Sequence, residues 1–431
     1  MLDLQFIRDN KALVKKAVRD KGLDVSIDEL LDIDAKVRAV SQELDGLRAT
    51  RNARSKVKPS TDERSALQKL SARIADGEAH YRVLTNQKRK LELLVPNIPS
   101  GDSPVGPDTN SNVVIKTVGK PPKFSFQAKS HIELGADLEL LDLEAGAIVS
   151  GFRGYYLKNA AVRMHLCLMW FALETVAKHG FTLMVPPTIV REFALVGSGH
   201  FPFGKEEIYQ IANSGRLVNG SEEKAPLYLV GTAEPSLLAY YANRVFEQSQ
   251  LPIALCGFSP CYRSEIGSYG KDTKGLYRIH EFLKVEQVVI IPADEDIAAQ
   301  WFSKLTAIAE EMLVALELPY RLVNIATGDM GAGKVKMVDI ETWMPSRNDY
   351  GETHSNSFLG DWQARRLGIR YKAADGKTRF CYTLNNTALA SPRILIALWE
   401  NLQLKDGSIR VPAVLQPYVG TDRITSSSDG K

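Results

Sequence analysis

Residues 259–287 read SPCYRSEIGSYGKDTKGLYRIHEFLKVEQ, and this stretch decides the fold. Arg263 and Glu265 stand two apart, a spacing that puts both side chains on one face of an extended strand. A polar loop follows, with Gly267, Ser268, Gly270, Lys271, Asp272, Lys274 and Gly275. The next run, LYRIHEFLKVEQVVII (276–291), is apolar and β-branched, which predicts an antiparallel return strand. On that strand Arg278, Phe282 and Glu286 share a parity and hence a face. Such a face suits a nucleotide. Arginine binds phosphate through two parallel hydrogen bonds, a phenyl ring stacks on a base, and a carboxylate reads an amine. Arg-x-Glu alone fits a solvated hairpin with surface ion pairs equally well; the stretch taken in order favours a site.

The surrounding chain has 431 residues, more than one compact core usually holds, which predicts two domains. Composition is that of an ordinary globular protein, 44% hydrophobic and 24% charged. The formal net charge of +3 gives no global argument for a nucleic-acid partner, so any such argument must be local. Cys167, Cys256, Cys261 and Cys381 lie in apolar runs without zinc-ligand spacing, so they read as buried free thiols of a reducing compartment. No apolar run of transmembrane length and no signal or transit sequence is read, so a cytoplasmic, membrane-free protein is expected.

Upstream, residues 1–25 suggest a small helical subdomain around Leu4, Ile7, Leu13, Val14 and Val18. From Leu30 the apolar residues recur in steps of three and four: Ile33, Val37, Val40, Leu44 and Leu47. The seam breaks at 56–62, where Pro59 interrupts a helix and Ser60, Thr61 or Asp62 can cap the next. It resumes through Leu67, Leu70, Ile74, Gly77, Tyr81, Leu84, Lys88 and Leu91. The pattern predicts an antiparallel coiled-coil hairpin over about 27–95, reaching roughly 45 Å, with Gly77 and Lys88 as weak points. Residues 51–100 carry eleven Lys/Arg against five Asp/Glu, and Arg48, Arg51, Arg54, Lys56 and Lys58 gather towards the tip. The residues leave open a basic finger on a nucleic-acid backbone, a solvated coiled coil, or a protein-docking arm.

Downstream, residues 95–112 are rich in Pro, Gly, Ser and Asp and read as an exposed linker. Residues 155–179 read as a long apolar helix ended by Gly180, followed by a strand, 181–190, whose Pro186-Pro187 fits an edge. The Gly-rich 197–211 is no phosphate loop and is assigned no chemistry. Residues 227–246 read as strand, turn and helix, with Thr232 as a cap and Glu234 in the first turn, or alternatively as a carboxylate awaiting an ammonium group. Residues 381–403 read as a strand end, a turn and a helix begun near Ser391-Pro392. Beyond Val411-Pro412, the tail TDRITSSSDGK (421–431) is polar and is expected to be disordered.

The stretch 259–287 resembles motif 2 of the class II aminoacyl-tRNA synthetases, above all the seryl-tRNA synthetases, whose loop runs close to RSE-G-G-(R/K)DT(R/K)GL-R-HQF-KVE. Thr232-Ala233-Glu234 resembles their TAE, although Gly231 stands where proline is usual. Residues 338–372 resemble DLEVWMP…EISSCSN-TD-QARR-IRY, departing at His354, Asn356 and Phe358. Residues 155–190 resemble motif 1, 381–403 motif 3, and the hairpin the family's tRNA-gripping arm. The resemblance implies an α+β protein: a class II antiparallel β-sheet catalytic domain flanked by helices, plus the N-terminal helical hairpin. The implied domains are 1–100, a linker 101–112, and a catalytic domain 113–431 with motif 2 at about 255–290. It implies a serine–tRNA ligase using ATP and Mg²⁺, with L-serine and serine tRNA as partners, working as a homodimer. By the same resemblance, serine is bound by Thr232, Ala233, Glu234, Arg263, Glu286, Asn385 and Thr387. ATP is bound by Arg263, Ser264, Glu265, Arg278, Ile279, Phe282, Glu352, Thr353, His354, Ser355 and Arg393, with Glu352 and Ser355 holding the metal. The tRNA is bound by Arg48, Arg51, Arg54, Lys56, Lys58, Lys271 and Lys274. A synthetase paralogue that does not charge tRNA, and a non-catalytic RNA-binding protein on the same fold, are the competing readings. The basic arm argues against an enzyme that charges a carrier protein, and Arg263, Glu286, Glu352 and Arg393 against a scaffold.

Overall fold

The computed structural model describes residues 1–55, 60–213, 215–266 and 274–425. The chain divides into two compact units, Met1–Ile98 and Pro99–Lys431.

The first unit holds α1 (Leu4–Asp9), α2 (Lys11–Asp20), α3 (Ile27–Arg54) and α4 (Thr61–Leu94). Ile7, Val14, Val18, Ile27, Leu30 and Val95 form a small core, whereas Leu13, expected inside, is exposed. Helices α3 and α4 pair along the predicted seam, with Ile33, Val37, Leu44, Ile74 and Leu84 buried. Ser26 caps α3, and Ser60 caps α4 in a capping box with Glu63. The two expected weak points have compensations. A Cβ on Gly77 would lie 2.8 Å from Leu44 Cδ2, so the glycine makes room for a seam leucine. Lys88 reaches the buried Asp34 (3.6 Å), which Arg8 and Arg38 also approach at 3.2 Å.

The second unit is built on one eight-stranded sheet. Its strands are β1 (Val113–Val118), β2 (Thr182–Met184), β3 (Ile253–Tyr262), β4 (Glu281–Ile291), β5 (Tyr320–Asn324), β6 (Lys336–Met344), β7 (Asp349–Gly360) and β8 (Tyr382–Ser391). Their order is β1-β5-β6-β7-β8-β4-β3-β2. All neighbours are antiparallel except β2, which runs parallel to β3 at the edge. The edge place suits the Pro186-Pro187 beyond its end. The helices that bear on the site are α5 (His131–Asp137), α6 (Ala160–Lys178), α7 (Glu234–Ala239), α8 (Glu295–Ala315), α9 (Trp362–Leu367) and α10 (Arg393–Asn401). The main core lies between the sheet and α6, α8 and α10.

Several expectations change. The strand part of 381–403 is more than a strand end, since β8 is ten residues long and central in the sheet, while the helix starts at Arg393, just after Ser391-Pro392 as expected. The helix expected from 155 begins at Ala160, after a short strand at Tyr156–Leu157. By length and composition that helix, α6, could cross a membrane, contrary to the sequence reading. Its buried face, with Met164, Leu168, Ala172 and Val176, packs into the core, while Val162, Leu166 and Trp170 stay exposed. Of the expected linker, 95–112, the part from Pro99 onward belongs to the second unit and is strapped to it. Ser100 N donates to Val335 O, Thr327 N to Pro104 O and Gly328 N to Gly106 O. Cys256, Cys261 and Cys381 are buried free thiols, but Cys167 is half-buried.

Candidate active site

Strands β3 and β4 form the predicted hairpin, with Cys261 opposite Phe282 and Gly257 opposite Glu286. Arg263 and Glu265 do not lie on the strand as expected. β3 ends at Tyr262, and Glu265 takes a left-handed conformation at φ 55°. They still reach the site, because Arg263 N donates to His280 O and so continues the pairing for one step. Arg278 likewise precedes β4, and Arg278 Nη1 donates to Glu265 Oε2 at 2.9 Å. Burial alone would raise the Glu265 carboxyl, but that guanidinium carries it below its usual range. Arg263 stacks over Phe282, 5.2 Å from the ring centre, and its Nε points to Gly231 O at 3.4 Å.

At the start of α10, Arg393 Nη1 donates to Glu352 O (2.8 Å) and Nε to Tyr277 O (3.1 Å). Its guanidinium also covers the Tyr277 ring at 4.3 Å. These residues, with Ile279 and Thr353, wall one cavity. It is ringed by Arg263, Arg278 and Arg393, with an aromatic floor at Phe282, a combination suited to a nucleotide and its phosphates.

A second, more polar cavity adjoins it. Arg263, Lys284, Glu352 and Thr387 line both. Here Glu234, in the first turn of α7, accepts from Gln363 Nε2 (2.6 Å) and Asn385 Nδ2 (2.7 Å), both at Oε1. Gln363 is fixed in turn by donating to Ser198 O and accepting from Thr383 Oγ1. Thr232 does not cap α7 as expected: Ala233 holds the N-cap position without a side-chain cap, and Thr232 Oγ1 accepts only a long local contact from Glu234 N at 3.4 Å. Glycine at 257 lets α7 lie on the sheet, since a Cβ there would come within 2.8 Å of Ala233 Cβ. Glu286 pairs with Lys284 at 2.7 Å and approaches Thr387 Oγ1 at 3.4 Å. Burial raises both Glu234 and Glu286 above the usual carboxylate range, outweighing the neighbouring cations. His200, beside them, is lowered to about 4 by burial and by Arg263 and Lys284, so it is neutral near pH 7. Two buried carboxylates facing cations suit a small zwitterion.

The positions expected to hold a cation owe their placement to a β-bulge. Ile340 pairs with His354 and Glu341 with Glu352, leaving Thr353 as the extra residue. The extra residue restores parity, so Glu352 and Ser355 point into the same cavity. Ser355 Oγ is buried, and Asp339 stands opposite it in the register. Burial and the charge of Glu352 push Asp339 upward. A half-exposed carboxylate and a buried hydroxyl form an oxygen donor set that fits a hard cation such as Mg²⁺.

Comparisons with known proteins agree with this geometry. The model of the seryl-tRNA synthetase N-terminal domain matches residues 1–99, and that of the class II tRNA synthetase core domain (G, H, P, S and T) matches 216–402. The serine–tRNA ligase of Deinococcus radiodurans is 43% identical, over 97% of this chain and 98% of its own. A crystal structure of seryl-tRNA synthetase from Pyrococcus horikoshii complexed with ATP superposes with a TM-score of 0.88 at 35% identity, over 99% of this chain and 100% of the other. That of a cytoplasmic serine–tRNA ligase from Naegleria fowleri with AMP superposes at 0.86, with 29% identity and 99% of each chain covered.

The chain belongs to the seryl-tRNA synthetase family. Its activity is that of a class II serine–tRNA ligase.

Not every residue matched to the seryl-tRNA synthetase motifs reaches the cavities. Ala233 is buried beneath α7, and Ser264 is turned away, donating from Oγ to Glu206 O. His354 lines neither cavity. It is buried and lowered to about 4 by desolvation, with Nδ1 2.9 Å from Thr353 Oγ1. Asn356 Nδ2 donates to Phe302 O and Thr306 Oγ1 on α8, and Phe358 packs against Tyr382. Asn356 and Phe358, two of the three departures from the common family pattern, therefore serve packing against the helix layer and the core.

Residues missed from the sequence line the second cavity: Ser198, His200, Lys284, Lys334, Met337 and Trp362. Lys284 was findable, since it shares parity with Phe282 and Glu286. The segment 197–211, given no chemistry, supplies Ser198 and His200. In the arm, Arg48 is bound to Glu78 (2.9 Å) across the hairpin, Arg51 is half-buried and Arg54 exposed. Lys274 is exposed, whereas Lys56, Lys58 and Lys271 lie outside the described residues.

Proposed function

We propose that the two joined cavities divide the ligation between them: the arginine-ringed one holds ATP, and the one around Glu234 and Glu286 holds L-serine. The observation that carries this reading is the shared wall. Arg263 lines both cavities, where the serine carboxylate and the α-phosphate must meet. In the first step a serine carboxylate oxygen attacks the α-phosphorus in line, forming seryl-adenylate as the bond to pyrophosphate breaks. Arg263 holds the α-phosphate as negative charge gathers there, and Arg393 holds the far phosphates of the leaving group. Phe282 stacks on adenine, with Glu265 and Ile279 beside it. Glu286 and Glu234 take the serine ammonium, and Thr232, Asn385 and Thr387 complete the pocket. The second step is attack by a 3′-terminal ribose hydroxyl of tRNA on the acyl carbon, with AMP leaving. Proximity and charge stabilisation supply most of the acceleration.

Glu352 and Ser355 would hold Mg²⁺, which when bound neutralises phosphate charge. The α3–α4 hairpin grips tRNA through Arg51 and Arg54, together with Lys56 and Lys58, while Lys271 and Lys274 guide its acceptor end. The bare stripe of Val162, Leu166 and Trp170 on α6 is the homodimer face. The site of action is the cytoplasm.

Serine-dependent ATP–pyrophosphate exchange, with threonine, alanine and glycine as controls, tests the reading. Exchange with serine alone, followed by charging of serine tRNA, is expected. A chain lacking Ile27–Leu94 should keep exchange and lose charging. Exchange with all four amino acids, or charging without the arm, would contradict it.

A further inference from the structure

A buried carboxylate outside both cavities ties three segments together. Glu400 lies on α10, two turns beyond Arg393, and is fully buried. Its Oε1 accepts from His131 N at 2.9 Å and lies 2.7 Å from His131 Nδ1. Its two oxygens also accept from Ser346 N (2.9 Å) and Ser346 Oγ (2.8 Å). Burial would raise this carboxyl, but the bonds from His131 and Ser346 hold it below its usual range, so it is ionised.

The far side of the imidazole carries the consequence. His131 Nε2 lies 3.2 Å from Leu276 N, at the point where the chain leaves the motif 2 loop. A backbone N–H only donates, so Nε2 is the acceptor, and the proton of the neutral ring sits on Nδ1, aimed at Glu400. The fit is close. Gly275 has φ +75°, and a Cβ there would lie 2.1 Å from His131 Nε2. The next three residues, Tyr277, Arg278 and Ile279, wall the arginine-ringed cavity. Next to Ser346, the Arg347 guanidinium lies 4.3 Å from the Tyr277 ring centre.

We propose that His131 is a positioning residue for nucleotide binding: oriented by Glu400, it accepts the Leu276 N–H and so fixes the segment that carries Tyr277, Arg278 and Ile279. This rests on the reading of that cavity as the ATP seat. Glu400 thereby joins the helix that bears Arg393 to the root of the motif 2 loop. Two walls of the nucleotide cavity keep their spacing without a substrate to hold them.

Two substitutions separate the halves of the contact. His131→Asn keeps a donor near the Nδ1 position for Glu400 and loses the acceptor for Leu276. His131→Gln places an amide oxygen near the Nε2 position and keeps it. Exchange kinetics of the full chain should show the KM for ATP raised about five- to tenfold in His131→Asn, as one buried donor is left unmade. The KM for serine should stay within about twofold, and His131→Gln should restore the ATP value. Gly275→Ala, which crowds the same ring from the loop side, should give the same ATP-selective rise and serves if His131→Asn does not fold. Equal losses for ATP and serine, tracking a fall in melting temperature in both His131 variants, would overturn the proposal. Arg278→Ala is run alongside. If it raises the ATP KM and His131→Asn does not, His131 has no positioning role and the ATP seat stands. If neither raises it, both fall.

Discussion

The cavity around Arg278 and Arg393 and the cavity around Glu234 and Glu286 share four side chains but place their charge differently. The first is marked by three guanidiniums at or near the surface, each aimed by a backbone carbonyl or a carboxylate: Arg263 by Gly231, Arg393 by Tyr277 and Glu352, Arg278 by Glu265. The second is marked by two carboxylates, Glu234 and Glu286, shut away from water and pushed towards neutrality by burial. An arginine near the surface keeps its charge whatever its neighbours do. A buried carboxylate keeps its charge only through partners, and a bound ammonium is the missing one. The arginine cavity is therefore charged in advance, whereas the carboxylate cavity gains its full charge as its ligand arrives.

That contrast can be broken first at the shared wall. Arg263→Ala removes a group from both cavities and should lower the exchange rate by about 10²–10³-fold, by analogy with the loss of a preorganised donor to a developing negative charge. A smaller loss would mean that charge at the α-phosphate is stabilised elsewhere. Next comes the carboxylate cavity. Glu234→Gln replaces a charged acceptor and should raise the KM for serine by roughly 10–100-fold, the range for losing a hydrogen bond to a charged group. The pH dependence sharpens the same point. Glu234 and Glu286 titrate above the ordinary carboxylate range, and serine's ammonium needs them ionised. As pH falls through their raised pKa values the KM for serine should climb, at a higher pH than free carboxylates would dictate. The KM for ATP should not follow from this cause. Initial rates of exchange between pH 5 and 8 would show it.

The smallest effect on activation lies in the other unit. Asp34 sits buried among Arg8, Arg38 and Lys88, so Asp34→Ala strands three cations and should cost the hairpin about 2–3 kcal/mol, less than a fully buried pair because the cations are partly exposed. Calorimetry should show the early melting of Met1–Ile98, with exchange unchanged.

The hairpin was readable because its determinants are local. A repeat of three and four and a serine able to cap at position 60 both lie within a few residues, and they became α3, α4 and the capping box of α4. The β3–β4 pair was readable for the same reason. What escaped depends on register between distant strands. Alternation along 349–360 assumes an unbroken pleat, so the bulge that turns Ser355 into the site with Glu352 left no trace in the sequence. Arg263 and Glu265 were placed on a strand by the same assumption, although the strand ends at Tyr262 and Glu265 beyond it is left-handed. Gln363, which aims Glu234, stands 129 positions away, and His200 comes from a segment whose composition says only that it is a loop. Lys284 is the exception, since simple parity with Glu286 points to it.

The division of labour between the cavities is tested most directly by measuring ATP and serine KM side by side in Glu234→Gln and Arg278→Ala. The expected result is a cross: Glu234→Gln raises the serine value and spares ATP, while Arg278→Ala raises the ATP value, about tenfold for one lost charged contact, and spares serine. Parallel rises in both constants in both variants would mean that the two cavities form one undivided site, and the assignment of substrates to them would be wrong.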